Sequence, residues 1–530
     1  MYILVPGRHH VLTNSQFKYL HGLLKSGVTG MKDARGIIID TDEKIDALIF
    51  AVTSANHSNT RRNPLPFYMR ALAIQDFCRD IDIPFYVYGI DDVGKVDDFA
   101  SYTIKRIEHE GDGLFDLAPS NTIVVCSTPV LEMYEKKGYR ILPAELEDIS
   151  TWKISVPMPW DLVEYIATSA EDWRNNKYVM ENMQAASYAI WSRYRLGEKV
   201  KMLFSDKIVG EDGDITETRD YNSYVRQMDD IAEMKYKDTK HFIKPGRIGD
   251  IGCAVGSWIK YACMDEALRE SDFYGIEVSR HLFDVCQQRR HNGEFANPFV
   301  FFAQKNAVTG LVFESKSMNT IFTSSLTHEI ESYGSREDLL KFIKNRYDEL
   351  VPGGVWINRD VVGPENKDEL ILMKLSKEDG RNEDFEKEFS DRILLKEYLD
   401  GLSTYGRFKR FVLDFRKKEG YEWKFEEVSI DGINYYKLKL QDATEFFTKK
   451  DYTDNWESEM HERFCFWSFS DWKEEMEKVG FKINTQSSAF VNTWIVENRL
   501  KGKVDLFKII NDKPEAMEYP VTTMFLMGEK

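Results

Sequence analysis

Cysteine pairs are missing from this sequence. Its six cysteines, Cys78, Cys126, Cys253, Cys263, Cys286 and Cys465, form no C-x-x-C pair and no zinc spacing. That excludes a disulfide-stapled secreted scaffold and a zinc module, and reads as reduced, buried thiols of the cytoplasm. No apolar run approaches the ~18 residues of a membrane span. The start, MYILVPGRHH, lacks the charged and apolar regions of a secretory signal. Basic charge is in deficit: 71 Lys and Arg stand against 88 Asp and Glu, a net charge of −17 over 530 residues. A general nucleic-acid coat needs the opposite sign, so only a local basic groove stays open. Repeats and low-complexity tracts are also absent. What is present, 42% hydrophobic and 30% charged residues, suits a globular chain of about three domains, or two large ones with an insertion.

Two β–α series account for most of the chain. In the first, over 1–165, strands are expected at Tyr2–Pro6, Asp46–Thr53, Pro84–Ile90 and Thr122–Cys126, with helices at Gln16–Ser26, Tyr68–Asp80 and Val130–Lys137. Residues 166–240 read as a helical connector. The second series, 241–530, has strands at Arg247–Gly252, Asp272–Ile276, Phe299–Ala303, Thr320–Ser324 and Gly354–Arg359. Such alternation predicts parallel, doubly wound sheets with helices on both faces. Residues 366–465 interrupt it as an α+β insertion too long for a loop. Its basic and aromatic stretch, Leu402 to Lys418, reads as a helix with one solvated face in preference to a nucleic-acid platform. A helix capped by Ser470 and stopped by Gly480 follows, then an antiparallel pair, Phe481–Phe490 and Val521–Gly528.

The sharpest motif is Asp250-Ile-Gly252-Cys-Ala-Val-Gly256, between a strand and a helix. Glycine permits a tight turn and close backbone approach. Asp250 at one strand end and Glu277 at the next offer acceptors for hydroxyl or amine protons. The spacing is not G-x-G-x-x-G, and no P-loop lysine is present. This stretch resembles class I S-adenosylmethionine-dependent methyltransferases. Asn306-Ala307 stands where they carry the Asp-Ala pair that contacts adenine, and Leu350-Val-Pro-Gly-Gly resembles their turn before the fifth strand. The resemblance implies S-adenosylmethionine held by Asp250, Gly252, Gly256, Glu277, Asn306, Ala307 and Ser324. It also places the fourth-strand end, Ser324-Ser-Leu-Thr-His328-Glu329-Ile-Glu-Ser-Tyr333, beside the methyl acceptor. There His328 is suited to take a proton, Glu329 to orient it or bind substrate, and Tyr333 to donate a hydrogen bond. The same residues also read as an ordinary helix start, with Ser325 or Thr327 as cap. Arg359-Asp360 is a second polar pair at this rim, or a plain surface ion pair. No residue is assigned to a metal.

The start of the chain, Gly7-Arg8-His9-His10-Val-Leu-Thr13-Asn-Ser-Gln16, is a strand, a turn and a helix start. It resembles the nicotinamide-nucleotide adenylyltransferases and cytidylyltransferases, whose His-x-Gly-His is here Thr13-Asn14-Ser15-Gln16. Histidines at that position stabilise charge building on phosphates, so the substitutions remove much of the chemistry. Ser54-Ala-Asn-His-Ser-Asn-Thr-Arg61-Arg62-Asn-Pro64 resembles the same family's later segment. Its phosphate motif survives at most as Ser150-Thr151-Trp152-Lys153. The resemblance implies a nucleotide site of Gly7, Arg8, His10, Thr13, Gln16, Arg61 and Arg62, with Mg2+ if a triphosphate is used.

The fold expected is therefore α/β: two Rossmann-like doubly wound sheets, one nucleotidyltransferase-like and one of the class I methyltransferase kind. The function expected is methyl transfer to oxygen or nitrogen of a small polar or nucleotide-containing acceptor, with an N-terminal module that binds or transfers a nucleotide. The alternative is methylation of RNA with a catalytically inactive sensing or scaffold domain. No membrane partner is expected.

Overall fold

A computed structural model describes residues 1–93, 96, 98–148, 153–154, 156–205, 221–511 and 513–530. The chain divides into two compact units, Met1–Gly213 and Asp214–Lys530. The expected segment Ser150-Thr151-Trp152 lies outside the described residues.

In the first unit, strands Tyr2–Gly7, Ala47–Thr53, Phe85–Ile90, Thr122–Val125 and Arg140–Leu142 form one parallel sheet in the order 3-2-1-4-5. Its central strands are apolar at successive positions because both faces are covered. Ile3, Val5, Leu48 and Phe50 enter one core; Leu4, Ile49 and Ala51 enter the other. The helix Phe99–Glu110, unanticipated from the sequence, covers the second face through Ala100, Ile104 and Ile107. Helices Pro159–Thr168, Lys177–Asn182, Ala185–Arg193 and Leu196–Ser205 cover the first. They bring Leu162, Val179, Trp191 and Val200 into the core of Ile3 and Phe50. The stretch expected as a connector over 166–240 is thus divided: its first part is core of this unit, and helix Tyr221–Thr239 belongs to the second.

The second unit is built on eight strands. Arg247–Ile251, Asp272–Glu277, Val300–Gln304, Met318–Ser324 and Leu350–Val361 are parallel, in the order 3-2-1-4-5. Thr523–Glu529 runs antiparallel beside Leu350–Val361, with Lys482–Ile483 and Ser488–Phe490 paired to it outside. With the two outer segments Lys482–Ile483 and Ser488–Phe490 counted together as the sixth strand, the order within the sheet is 3-2-1-4-5-7-6. The expected edge pair is antiparallel, but its later strand lies inside the earlier one. Trp258 packs its helix on the sheet, stacked on Phe322 at 4.3 Å. Helix Phe469–Val479 is capped by Ser468, two residues before the expected Ser470, because Ser468 and Asp471 close a reciprocal capping box.

The insertion carries its own antiparallel sheet, ordered Phe425–Ile430, Ile433–Lys439, Leu370–Leu375, Val504–Ile510 and Lys513–Ala516. Its expected limits, 366–465, are too narrow: a later loop returns and pairs Val504–Ile510 with Leu370–Leu375. Helix Thr404–Asp414 buries Phe408 and Phe411, while Arg407, Lys409 and Arg410 pair with Asp451, Glu427 and Asp414. Those cations serve as the polar face of a packed helix. All six cysteines are buried and none is in a disulfide. Among the described residues no helix is long and apolar enough to cross a membrane.

Candidate active site

Strand order places the reversal of the second sheet between Arg247–Ile251 and Met318–Ser324. Crevices at the carboxyl ends of parallel strands open at such a reversal. Asp250 is buried at one of these ends. The chain then turns with Gly252 at φ 72°, Ala254 at φ 48° and Gly256 at φ 74°. Side chains at Gly252 and Gly256 would be strained in that backbone. They would also meet neighbours, with a Cβ at Gly256 only 2.9 Å from the Phe302 ring. Packing against Phe302 and Leu326 therefore demands these glycines as firmly as a ligand would.

The loop is stitched to the next strand. Gly252 and Cys253 donate to the Ile276 carbonyl at 2.8 and 3.1 Å, and Ala254 N–H donates to Glu277 Oε2 at 2.8 Å. Glu277 Oε1 accepts from Val278 and Ser279 N–H, each at 2.9 Å. Burial raises the Glu277 carboxyl to about 7, against the pull of those three N–H groups. Burial raises Asp250 to about 8, with Lys235 opposing and Glu277 adding to the rise. Lys235, on helix Tyr221–Thr239, is itself lowered to about 8, first by burial and then by Arg359, while Asp250 and Asp360 pull it back. Sequence reasoning missed this lysine because nothing in its spacing sets it apart within a helical stretch.

The remaining expected cofactor residues border the same strand ends. Asn306 Oδ1 already accepts from Val308 N–H at 2.9 Å, so the oxygen expected to meet an adenine amine helps shape its own turn. Ala307 is buried beside it. Ser324 Oγ is enclosed and, among the described residues, meets no hydrogen-bond partner.

Past the end of the fourth strand the structure gathers His328, Glu329 and Tyr333 with two further carboxylates. Asp360 Oδ2 accepts from Thr327 N–H and Oγ1–H at 2.7 and 2.6 Å. Its Oδ1 lies 2.6 Å from His328 Nδ1. Glu462, from the insertion, lies 3.3 Å from His328 Nε2 through Oε2 and accepts from Tyr333 Oη at 3.1 Å through Oε1. The Phe464 ring edge closes over the imidazole at 4.9 Å. Burial opposes charge on His328, but Asp360 and Glu462 together outweigh it and hold the imidazole well above its ordinary value. Burial likewise opposes the Asp360 charge, and His328 and Thr327 outweigh it. His328 was expected as a proton acceptor; the two carboxylates that flank it favour its protonated form. The expected Arg359-Asp360 pair is also corrected. Adjacent strand residues point to opposite faces, so Asp360 turns to His328 while Arg359 reaches Asp238 at 3.6 Å. Glu462 was missed because its partner Tyr333 lies 129 positions away.

In the first unit a cavity of about 160 Å³ opens at the ends of strands Tyr2–Gly7 and Thr122–Val125, lined by Gly7, Arg8, His10, Gln16, Glu145 and Trp160 among others. Arg70, buried in helix Phe67–Phe77, secures the strand ends by donating to the carbonyls of Arg8, Thr53 and Ser54. Arg8 lies over the Trp160 ring at 4.5 Å and donates to the Arg62 carbonyl. His10 is buried, and burial, Arg70 and Arg8 drive its pKa well below the ordinary value. His9 falls to about 4, chiefly by burial. Both rings are therefore neutral near pH 7, not the cations a departing phosphate would use. Thr13 and Gln16 close a reciprocal capping box on helix Asn14–Ser26 at 3.1 Å each way. Helix capping thus occupies the two positions where the resemblance expects catalytic groups. Arg61 and Arg62 are not among the residues that line this cavity.

No family model matches the chain. Among solved structures it is similar to a SAM-dependent methyltransferase of Thermotoga maritima, at 13% identity and TM-score 0.29, covering 58% of this chain and 95% of that one. It is also similar to an S-adenosylmethionine-dependent methyltransferase of Mesorhizobium loti, at 10% identity and TM-score 0.31, covering 56% and 98%. A third is the geranyl diphosphate C-methyltransferase of Streptomyces coelicolor, at 7% identity and TM-score 0.29, covering 59% and 85%. Scores this low leave the chemistry to be argued from the residues.

Proposed function

We propose that the second unit transfers a methyl group from S-adenosylmethionine to an oxygen or nitrogen of a small polar or nucleotide-containing acceptor. The observation that carries this reading is the joining of the Gly252–Gly256 turn to Glu277, beside Asp250, at the reversal point of a 3-2-1-4-5-7-6 sheet. Glu277 and Asp250 supply acceptors for ribose hydroxyls and the methionyl amine. The His328–Glu329–Tyr333–Glu462 cluster, across the reversal, supplies the acceptor side. In the transfer the acceptor lone pair forms the new bond to carbon as the carbon–sulfur bond breaks. The electron pair stays on sulfur, giving a neutral thioether, and the acceptor proton leaves to solvent or a carboxylate. Holding donor and acceptor in line is the main contribution required of the protein.

Calorimetry with S-adenosylmethionine tests this. Asp250→Ala and Glu277→Gln should each weaken binding by about tenfold or more, the cost of one lost charged hydrogen bond, with circular dichroism near native. Unchanged affinity in both removes the cofactor assignment.

For the first unit we infer nucleotide binding in preference to nucleotidyl transfer. The neutral His10 and the capping roles of Thr13 and Gln16 favour it. Pyrophosphate release from ATP or CTP with Mg2+, above that of a Thr13→Ala/Gln16→Ala chain, would reverse that preference.

A further inference from the structure

The His328 cluster has the anatomy of a ligand cradle. One ring nitrogen of His328 is taken by Asp360 at 2.6 Å, which leaves Nε2 directed at Glu462. One oxygen of Glu462 is taken by Tyr333 Oη at 3.1 Å, which directs the other at His328. Asp360 is in turn fixed by Val361 N–H at 2.7 Å and by Thr327. One ring nitrogen of His328 and one oxygen each from Glu329 and Glu462 lie within 4.8 Å of one another. Metal-bound histidines ordinarily give their second nitrogen to a carboxylate, and bound carboxylates are held by outer hydrogen bonds. Both features are present here, on residues drawn from two separate parts of the chain. The other charges nearby are matched elsewhere: Glu331 meets Arg336 at 3.0 Å and Arg463 at 3.6 Å, and Glu445 meets Lys449 at 2.9 Å.

We propose that His328 Nε2, Glu329 and Glu462 bind one divalent metal ion, which displaces the Nε2 proton to solvent as it takes that nitrogen's lone pair. One imidazole and two carboxylates suit the Mn2+, Fe2+ and Zn2+ class better than Mg2+ or Ca2+, which favour all-oxygen sets. Three protein ligands leave open positions, so the ion would take an oxygen of the substrate and lower the pKa of a bound hydroxyl. This deepens the methyltransferase reading and rests on it for the substrate's role: the acceptor would be a metal-chelating oxygen compound, its hydroxyl proton passing to solvent on binding to the ion. Asp360 and Tyr333 are positioning residues in this scheme.

The test is titration of the full-length chain with Mn2+ alone, following free Mn2+ by electron paramagnetic resonance. One ion per chain is expected. Glu329→Gln, at a half-buried position, and His328→Asn should each weaken binding about tenfold or more with native circular dichroism, and Asp360→Asn should do so to a similar degree through orientation. Absence of Mn2+ binding, or equal binding by all variants, overturns the proposal. Calorimetry with S-adenosylmethionine on the same samples separates the two readings. Cofactor binding without Mn2+ binding overturns the metal site alone. Mn2+ binding lost in the variants but no cofactor binding by any sample supports the metal site while the methyltransferase reading falls.

Discussion

Asp250 shows how burial, not sequence neighbours, sets the chemistry of a side chain. An aspartate at a strand end is ordinarily ionised at neutral pH, yet burial raises this one to about 8. The folded chain therefore binds its proton more tightly than the unfolded chain does. Stability from this group is fully present below the ordinary carboxylate value and is lost as pH rises through about 8. Asp250→Asn holds the neutral state permanently. Its melting temperature should fall less than that of the unaltered chain between about pH 4 and about pH 8, as followed by circular dichroism. A parallel fall in both would show that Asp250 does not titrate there. Bringing a sulfonium cation beside Asp250 would favour the ionised form, so cofactor affinity should rise over the same interval. Lys235 belongs to this group by field alone: it stands in helix Tyr221–Thr239, a stretch with no motif, and only folding sets its charge against Asp250 and Asp360.

At the scale of the element, local rules and packing can disagree, and magnitude decides. Gly197 lies inside helix Leu196–Ser205, where alanine is ordinarily better by about 1 kcal/mol. A Cβ there would stand 2.1 Å from Trp173 Nε1 and 2.7 Å from two ring carbons. Overpacking of this kind costs about 1–3 kcal/mol, and Trp173 is locked in the core. Gly197→Ala should therefore destabilise the chain despite its helix propensity; a raised urea midpoint would refute this. The Ser468 cap has no such conflict. Ser468→Ala should cost about 1 kcal/mol, measured the same way, whereas Ser470→Ala should cost little because Ser470 does not cap the helix.

At the scale of the molecule, the limits of the first unit follow from its core. Leu162, Val163, Ile166, Val179, Trp191 and Val200 pack with Ile3 and Phe50. Trp191 Nε1–H also donates to the His10 carbonyl at 3.0 Å, and Leu12 N–H to Ser187 Oγ at 2.8 Å. A chain cut after residue 165 loses Ile166, Val179, Trp191 and Val200 from this core, and the anchors of the turn beside the cavity. A chain cut after residue 205 keeps both. Only the longer fragment should unfold cooperatively in urea; cooperative unfolding of the shorter one would show that these helices are dispensable.

Strand positions, the Asp250–Gly256 turn and the helical stretch Thr404–Asp414 were legible in the sequence, because a residue's own turn chemistry and the spacing of apolar neighbours act over a few positions. The parallel character of both sheets followed from the same alternation. The limits of the units, the returning strand Val504–Ile510 and the placement of Glu462 against His328 were decided by tertiary structure alone. Those features depend on which distant surfaces bury one another, and burial is also what shifts the proton affinities of Asp250, Glu277 and His10. Chain neighbours specify the elements; the low-dielectric contacts between remote segments specify the chemistry.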